Sequence, residues 1–485
     1  MDEFMFRIFV GRCREVQEAT SYMEVMNYSD SFYNSAEEHP LTDDEFENFL
    51  HARGAFAPPM KMKPETKLLS GMRLVLQKNA QHKDTFTPFV ITLPAERYTS
   101  MIRTLRLPFR AIEGTSVVGP FFWAAFDQDD ADPHLHIIFR KSDVRKKGKT
   151  RGWEIMLSHQ INTGITTGFV KGTPSSDMAE SLAALRALAA DVAHPMLLPL
   201  IILSYDLSPV NDQKQRDARE WLRRLEHAVS MRNEIEDKDG YVREDGVMEV
   251  DAISRDLVEC HSQVLWKRPD AYAAVVTEME SVMEAFMEKL PEHRKNGPEG
   301  EALNRQHRGL VSRLNFYKIK LQGIKNYQAT TLERLHIQRS ALYNLLSQRE
   351  SKIQFQMAGE QRRLAHASKR DSTAMKTISL LGAVFLPGTL VSSIFSMTFF
   401  DFGADANPVV SSSLWVFFVI TIPVTALIVA GWMAFDRRRE GRFKTEDDDL
   451  EKNIEHMEAD IMAMMRKRTM SKANTWTSAT SPIKP

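Results

Sequence analysis

The sequence has little cysteine, and this scarcity excludes several kinds of site. Only Cys13 and Cys260 occur among 485 residues, and they lie far apart in the chain. A disulfide framework or a CxxC metal site is therefore excluded, which is typical of a protein in a reducing compartment. The N-terminus also lacks a basic start followed by an apolar run, so the sequence predicts no secretory signal peptide.

The sequence also lacks a charge excess and the motifs of common enzymes. Its 63 Lys and Arg residues balance 64 Asp and Glu residues, and the formal net charge is −1. Binding of nucleic acid through bulk charge is therefore not expected. A phosphate-binding loop, a nucleophile elbow, an HExxH motif and a dinucleotide fingerprint are all missing. We expect neither an enzyme nor a bound cofactor, and we interpret His194 and His261 as structural residues.

Two long stretches near the C-terminus have no charged residue. Residues 377–400 form the first, and residues 406–435 contain the second, whose densest apolar part is 414–435. A helix needs ~20 apolar residues to cross a bilayer. Two buried core helices are the alternative interpretation. Two such segments at the end of a charged chain favour a hairpin of transmembrane helices at 377–400 and 414–435, joined by an extracytoplasmic loop at 401–413.

The charges beside these segments predict their orientation. Basic residues precede the first segment and follow the second: Arg362, Arg363, Lys369, Arg370, Lys376, Arg437, Arg438, Arg439, Arg442 and Lys444. The connection between the segments has two acids, Asp401 and Asp405, and no base. By the positive-inside rule both termini are cytoplasmic. The sequence thus predicts a multi-pass integral membrane protein, and we favour the plasma membrane over an organellar one.

The remainder of the chain divides by its residue pattern. Residues 1–60 are acidic, and we expect them to be partly disordered. Residues 61–250 are predicted to form a cytoplasmic α/β domain. Residues 436–485 are predicted to form a basic-flanked, partly disordered cytoplasmic tail. Short apolar runs predict strands at 88–93, 121–126, 134–139, 152–157 and 197–204. Helices are predicted at 176–192 and 211–236.

Strand signals end after residue 250, and residues 251–376 predict the long helices of a funnel or stalk. One helix is expected at 251–290. In the next helical run, leucine and isoleucine recur at steps of three, four and seven residues, as expected of long packed helices: Leu303, Leu310, Leu314, Leu321, Ile324, Leu332, Leu335, Leu342, Leu345 and Leu346. A break near residues 347–351 is an alternative to one unbroken helix.

Small and hydroxyl residues share one face of the first apolar segment. Met375, Gly382, Thr389 and Ser396 recur every seven residues, and Ser379, Leu386 and Ser393 form the adjoining row. Such a face permits close helix packing, or it lines a water-filled path shared between subunits. Pro387 fits both interpretations, because it removes a backbone hydrogen bond and bends the helix.

The residues around this face resemble the first transmembrane helix of the CorA family of divalent metal-ion, chiefly magnesium, transporters. The resemblance is carried by FLPGT at 385–389 and FSM at 395–397, and these, with KRDS at 369–372, are especially similar to CorA-like proteins of filamentous fungi. It covers roughly residues 300–440. The implied fold is an α+β cytoplasmic domain, long stalk helices and a two-helix transmembrane region, assembled as a homopentamer in the lipid bilayer.

The resemblance also implies roles for individual residues. It places six residues on the pore face: Met375, Ile378, Gly382, Leu386, Thr389 and Ser393. Met375 and Leu386 would be apolar constrictions, and Thr389 would offer a ring of hydroxyls to a hydrated ion. At the pore mouth Ser396, Met397 and Thr398 replace the Gly-Met-Asn signature of the family. Asp401 and Asp405 would form an acidic ring that concentrates cations, against the alternative of an ordinary polar loop.

One further cluster carries metal-ligand chemistry. Asp129 and Asp130 precede His134 and His136, and histidines two residues apart on a strand share a face. No third ligand is fixed by spacing, so these four residues are weak candidates for a metal site. The cytoplasmic domains of the CorA family sense magnesium, and a regulatory divalent cation is therefore expected without an assigned site.

The sequence thus predicts a passive channel for divalent cations, driven by the membrane potential. Mg²⁺ is favoured, and Zn²⁺, Co²⁺ and Ni²⁺ are the alternatives, because the Ser-Met-Thr replacement changes the neutral oxygens that meet the ion. A non-conducting scaffold or sensor with the same fold is the alternative function. A proton-coupled zinc transporter is disfavoured, since neither apolar segment contains a carboxylate or a histidine.

Overall fold

The computed structural model describes residues 1–58, 63, 65–127, 131–146, 149–230, 241, 249–265, 268–396 and 415–438. The chain forms two units, Met1–Ser347 and Gln348–Pro485. Helix α10, Gly297–Phe395, begins in the first unit and ends in the second. It is helical throughout residues 347–351, where a break was an alternative.

The first unit contains nine short strands and ten helices, the last of them α10, among the described residues. The strands are β1 Arg14–Glu15, β2 Ser21–Tyr28, β3 Ser35–Pro40, β4 Leu68–Gln77, β5 Val90–Ile91, β6 Gly119–Phe126, β7 His134–Lys146, β8 Lys149–Gln160 and β9 Ile165–Gly172. The other helices are α1 Asp2–Val10, α2 Phe46–Leu50, α3 Ala95–Thr104, α4 Met178–Ala187, α5 Leu197–Asp206, α6 Pro209–Ser230, α7 Val250–Val264, α8 Pro269–Lys289 and α9 Glu292–Lys295.

Seven strands form one mixed sheet in the order β3-β2-β4-β9-β8-β7-β6. All neighbours are antiparallel except β4 and β9, which run parallel. The three strands β7, β8 and β9 pair in sequence because short connections favour antiparallel neighbours. β1 and β5 form a separate parallel pair. This arrangement makes the unit an α+β domain.

Side chains alternate between the two faces of the sheet, and each face packs against helices. Leu135, Ile137 and Phe139 of β7 lie in a core with α4, α5 and α8. Ile138, between them, points to the other face, whose core includes α1, α2 and α3. Alternation of this kind is the geometry of a strand, and the burial of each large apolar side chain stabilises the fold by ~1.5–3 kcal/mol.

The predicted strands at 121–126, 134–139 and 152–157 are confirmed as parts of β6, β7 and β8, and the run at 88–93 contains only the two-residue β5. The prediction at 197–204 is wrong, because these residues form α5. Seven of its ten residues are buried, so the run is apolar on all sides. Such a run has no helical or strand period, and the sequence pattern could not separate the two structures.

The helical predictions at 176–192 and 211–236 are confirmed with different bounds, and the prediction at 251–290 is wrong in one respect. The helix expected at 176–192 ends at Ala187, and the one expected at 211–236 is α6, of which residues 231–236 lie outside the described part. The single helix expected at 251–290 is two helices, α7 and α8. Pro269 occupies the first turn of α8, where its missing N–H costs no helical hydrogen bond.

The leucine repeat of α10 is confirmed in the first unit, where every residue of the repeat except the exposed Leu345 is buried or half-buried. Leu314 and Leu321 pack into the core beneath the sheet, whereas Leu335 and Leu342 pack against α6 and α7. Nε and Nη2 of Arg334 donate to the two carboxylate oxygens of Glu226 on α6, at 2.9 and 2.5 Å. The paired geometry fixes the angle between α6 and α10 as well as their separation.

Candidate functional site

Two apolar helices in the second unit are long enough to cross a membrane. They are residues Met375–Phe395 of α10, 21 residues, and α11, Trp415–Arg438, 24 residues. Only 6% and 0% of their most apolar windows are buried within the chain. A core helix of a soluble protein would be mostly buried, and a signal sequence would lie near the N-terminus. The exposure and position of these helices therefore indicate a membrane protein.

Three contacts place the two helices side by side and antiparallel. Nζ of Lys376 lies 3.1 Å from Oδ1 of Asp436. A Cβ placed on Gly388 would lie 3.8 Å from Cγ2 of Thr421. The rings of Phe395 and Phe417 meet edge to face, with centroids 6.1 Å apart. The contact positions advance along α10 as they go back along α11, which defines the register of a helical hairpin.

Apart from the half-buried glycines Gly382 and Gly388, the less exposed residues of α10 in this segment form one seam. They recur at steps of three and four residues, as one face of a helix requires: Lys376, Leu380, Ala383, Pro387, Val391 and Phe395. Two of the three α10 positions that contact α11, Lys376 and Phe395, belong to this seam, and the third, Gly388, directly follows the seam residue Pro387. Pro387 thus lies on the α11 side of the helix.

The predicted pore residues lie on a different face. Five of the six are exposed and Gly382 is half-buried. Met375, Ile378 and Leu386 are 74%, 70% and 68% exposed. At 100° per residue, the centre of this face lies about 150° around α10 from the seam. Within one chain, α11 therefore leaves the predicted pore face uncovered.

The hydroxyl of Thr389 has a local backbone partner. Its Oγ1 donates to the carbonyl of Leu386 at 2.9 Å, a common arrangement for threonine within a helix. This bond uses the hydroxyl proton and leaves the oxygen lone pairs as acceptors. Oxygen acceptors are the groups that the water shell of a cation, or the cation itself, would contact.

The pore mouth is described only at its first residue. The backbone N–H of Ser396 donates to the carbonyl of Ser392 at 3.0 Å, so the helical hydrogen bonding reaches this position. Met397, Thr398, Asp401 and Asp405 lie outside the described residues. Their predicted roles therefore stay predictions.

The candidate metal cluster is only partly described, because Asp129 and Asp130 lie outside the described residues. His134 begins β7, and its Nδ1 lies 2.7 Å from the backbone oxygen of Asp132. Nε2 of His136 is buried and has no hydrogen-bond partner among the described residues, and burial lowers the pKa of His136. Within the described part of the chain, no three His, Cys, Asp or Glu residues are placed to hold a metal ion.

A row of buried charges crosses the sheet and was not predicted from the sequence. Arg140 pairs with Glu154 in the register of β7 and β8, and Glu154 pairs with Lys171 in that of β8 and β9. All three are at most 4% exposed. Oε2 of Glu154 lies 3.2 Å from Nζ of Lys171, and Arg140 donates from Nη1 to the carbonyl of Gly114. Charged residues inside otherwise apolar strands were the only available signal.

The two cations of this row lower the pKa of Glu154 by more than burial raises it. Burial by itself would raise the pKa of Glu154, but Lys171 and Arg140 lower the pKa below its ordinary value. The carboxylate is therefore ionised in the folded protein, and the row stabilises it as a group. Because it lies inside the domain core, the row is structural.

No family model matches the chain. A segment of 62 residues is 37% identical to the "Notoamide biosynthesis cluster protein M'" of Aspergillus versicolor. The segment covers 12% of this chain and 14% of that protein. The two proteins are therefore similar over a small part of each.

Proposed function

We propose that this protein is an integral membrane channel for divalent cations. The proposal is carried by one observation: two uncovered apolar helices form an antiparallel hairpin, and the small, hydroxyl-bearing face of α10 points away from α11. In lipid these hydroxyl groups can donate only to their own helix backbone, as Thr389 does to Leu386, and their oxygen acceptors stay without a partner. A polar face left open by the partner helix is more stable against other subunits or a water-filled path.

The resemblance to the CorA family supplies the number of subunits and the type of ion. In a homopentamer, five copies of α10 would surround the pore, and five copies of α11 would lie outside them in the bilayer. Leu386 and Met375 would then form apolar rings that gate by dewetting, and Thr389 would form a hydroxyl ring one turn beyond Leu386, towards the predicted pore mouth. Both chain termini would be cytoplasmic, in the plasma membrane.

The cation would move passively. An inside-negative potential contributes ~2.3 kcal/mol per elementary charge for each 100 mV, and this energy doubles for a divalent ion. Magnesium releases its water shell reluctantly, so neutral oxygens can recognise the hydrated ion. Mg²⁺ is the favoured ion, with Zn²⁺, Co²⁺ and Ni²⁺ as alternatives. The same ion is the candidate regulator of the α+β domain.

Ion influx into proteoliposomes tests this function. Purified protein is reconstituted, and the uptake of Mg²⁺, Zn²⁺, Co²⁺ and Ni²⁺ is measured separately under an inside-negative potential, with and without a pH gradient. The oligomer is measured by native mass spectrometry on the same preparation. We expect pentamers that take up at least one of these ions without needing a proton gradient.

Matched variants compare the effect on ion flux of substitutions on the predicted pore face with the effect of the same substitutions on α11. Thr389→Val removes a hydroxyl from the predicted pore face, and Thr425→Val makes the same change on the half-buried face of α11. Leu386→Ala shortens the predicted constriction, and Leu427→Ala shortens a residue that is 75% exposed on α11. We expect Thr389→Val to lower the flux and Leu386→Ala to raise it, with both controls close to wild type.

A non-conducting scaffold or sensor is the second candidate function. It is favoured by the replacement of the family's Gly-Met-Asn by Ser396, Met397 and Thr398. A threonine hydroxyl is shorter than the asparagine amide and can donate as well as accept a hydrogen bond. Folded pentamers that take up none of the four ions would support the scaffold and contradict the channel.

A further inference from the structure

The last two residues of α11, Arg437 and Arg438, form an exposed arginine pair beyond the apolar part of the helix. Neither arginine has an ion-pair partner among the described residues. Asp436, which precedes them, is itself paired with Lys376 of α10, with Nζ and Oδ1 3.1 Å apart. The positive charge of the arginine pair is therefore accessible to a ligand from outside the chain.

The tryptophans of α11 indicate the depth of the arginine pair in a bilayer. Trp415 begins the helix, and Trp432 lies about 26 Å further along its axis at 1.5 Å per residue. Tryptophan is enriched at both membrane–water interfaces, and the hydrocarbon between them is ~30 Å thick. Arg437 and Arg438 lie about 7–9 Å beyond Trp432, and the polar headgroup layer is about 5–8 Å thick. This spacing places the arginine pair at the level of the lipid phosphate groups.

α10 adds basic positions at the same end of the hairpin. Because Lys376 lies beside the last turn of α11, the part of α10 that precedes it leads out of the apolar region. Lys369 and Arg370 are helical positions about 9–11 Å before Lys376, close to the Debye length of about 10 Å at 0.1 M salt. Asp371 offsets one of these two charges, so this stretch of α10 also contributes a positive charge near the headgroups.

We propose that this end of the hairpin binds the phosphate groups of anionic phospholipids through Arg437 and Arg438. The planar guanidinium group donates paired hydrogen bonds to a phosphate, and each basic residue near an anionic membrane surface strengthens binding by about fivefold. Anionic lipids are concentrated in the cytoplasmic leaflet, on the side where the flanking charges predict this end of the hairpin. Such binding requires the hairpin to lie in a bilayer but does not depend on ion conduction, so it goes beyond the proposed function.

Equilibrium binding of a short-chain anionic lipid tests this site. Full-length protein in uncharged detergent micelles is titrated at ~100 mM salt with dioctanoyl phosphatidylserine, and with dioctanoyl phosphatidylcholine as the neutral comparison. Arg437→Gln/Arg438→Gln should weaken the binding of phosphatidylserine by about 25-fold, because two charges at the headgroup level are lost. Arg362→Gln/Arg363→Gln removes two charges of α10 that lie about 20 Å before Lys376, or two Debye lengths, and should weaken binding by less than about twofold.

Two further comparisons separate a lipid site from a general attraction of anions. Arg437→Lys/Arg438→Lys keeps both charges, and it should still prefer phosphatidylserine while binding it more weakly than wild type does. Inorganic phosphate at the concentration of the lipid should not displace it, since the phosphate lacks the acyl chains that hold the lipid beside the helices. Displacement would identify a site for free anions and contradict a lipid site.

Two results would overturn the proposal. One is equal affinity of the wild-type protein for the two lipids, a measurement that does not depend on the folding of any variant. The other is an equal loss of phosphatidylserine binding in Arg437→Gln/Arg438→Gln and Arg362→Gln/Arg363→Gln, because charge at the headgroup level would then have no special role. Wild-type protein that binds phosphatidylserine but takes up no ion would contradict the channel and leave the lipid site standing.

Discussion

Nε2 of His194 lies 3.3 Å from Nδ1 of His307, and this contact joins the start of α5 to α10. His194 is fully buried, and the ring of Phe286 packs against it with centroids 5.0 Å apart. Burial, and then the nearby His307, lowers the pKa of His194 to about 3. His194 is therefore neutral in the folded protein at every pH where the protein would be handled.

The first prediction concerns the stability of the α+β domain in acid. Unfolded His194 titrates near pH 6.5, and the folded residue only near 3. Between these values the unfolded state binds a proton that the folded state excludes, so the free energy of unfolding falls as the pH falls from 6.5 towards 3. One such group contributes a slope of ~1.4 kcal/mol per pH unit, and none above pH 6.5. Denaturant unfolding, followed by circular dichroism from pH 7.5 to 4.5, measures the slope.

His194→Gln removes one titrating group, so it should lower this slope by up to ~1.4 kcal/mol per pH unit. This effect on the slope is expected whatever the variant does to the free energy of unfolding at pH 7.5. His39→Gln is the control, because His39 lies on the edge strand β3 with its imidazole near Glu37. Carboxylates also titrate in this range, and the comparison between the two variants removes their shared contribution. Equal slopes in His194→Gln and His39→Gln would contradict the prediction.

The second prediction concerns the buried row of Arg140, Glu154 and Lys171. Glu154→Leu removes the anion and leaves two buried cations unpaired, so we expect the free energy of unfolding to fall by ~3–5 kcal/mol. Glu154→Leu/Lys171→Met removes one of these cations and should recover part of the loss. Chemical denaturation measures both variants. A double variant less stable than Glu154→Leu alone would show that the cation–π contact between the Lys171 ammonium and Phe86 outweighs the cost of that ammonium lacking its carboxylate.

The third prediction compares two glycines of the first apolar helix. A Cβ on Gly388 would lie 3.8 Å from Thr421 of α11, whereas a Cβ on Gly382 would approach only Leu386 of its own helix, at 3.9 Å. Gly388→Ala should therefore be tolerated, and Gly388→Leu should destabilise the hairpin by ~1–3 kcal/mol through overpacking. Gly382→Leu should leave the hairpin intact but lower the ion flux and the fraction of pentamer.

Two measurements on the same preparations separate these effects. Thermal unfolding in detergent reports hairpin stability, and native mass spectrometry reports the oligomer. If Gly382→Leu destabilises the hairpin as much as Gly388→Leu does, the Gly382 face packs within the chain. If it changes neither oligomer nor flux, that face meets lipid.

Local patterns in the sequence predicted the elements whose partners are near in the chain. The strands β6, β7 and β8 contain the short apolar runs that predicted them, and they pair consecutively, so the pattern and the structure agree. β2 and β3 were not predicted, because their glutamates hide the alternation and β2 also pairs with the distant β4. The all-apolar run of α5 carries no period, and its conformation depends on the core around it.

Some features of the candidate site could likewise be predicted from the sequence, and others could not. The apolar helices and the hydroxyl face of α10 depend on composition and helical spacing, and both are visible in the sequence. The contact between Lys376 and Asp436 joins residues 60 positions apart, and it depends on the register of two helices. The row from Arg140 to Lys171 likewise depends on strand register. Neither register can be read from spacing along a single chain.

The last prediction concerns Asp401 and Asp405 at the predicted outer mouth. In a pentamer these residues would supply ten carboxylates, and a ring of that charge raises the local concentration of cations. Asp401→Asn/Asp405→Asn should lower Mg²⁺ uptake by about three- to tenfold at ~20 mM salt, with little effect at ~300 mM, where screening weakens the ring. The pentamer should be unchanged. The control Asp270→Asn, which breaks an exposed ion pair with Lys325 outside the apolar helices, should conduct as wild type at both salt concentrations. Because the ring acts by concentrating ions, the defect should also disappear at saturating Mg²⁺. Unchanged uptake at low salt and low Mg²⁺ would assign these residues to an ordinary polar loop.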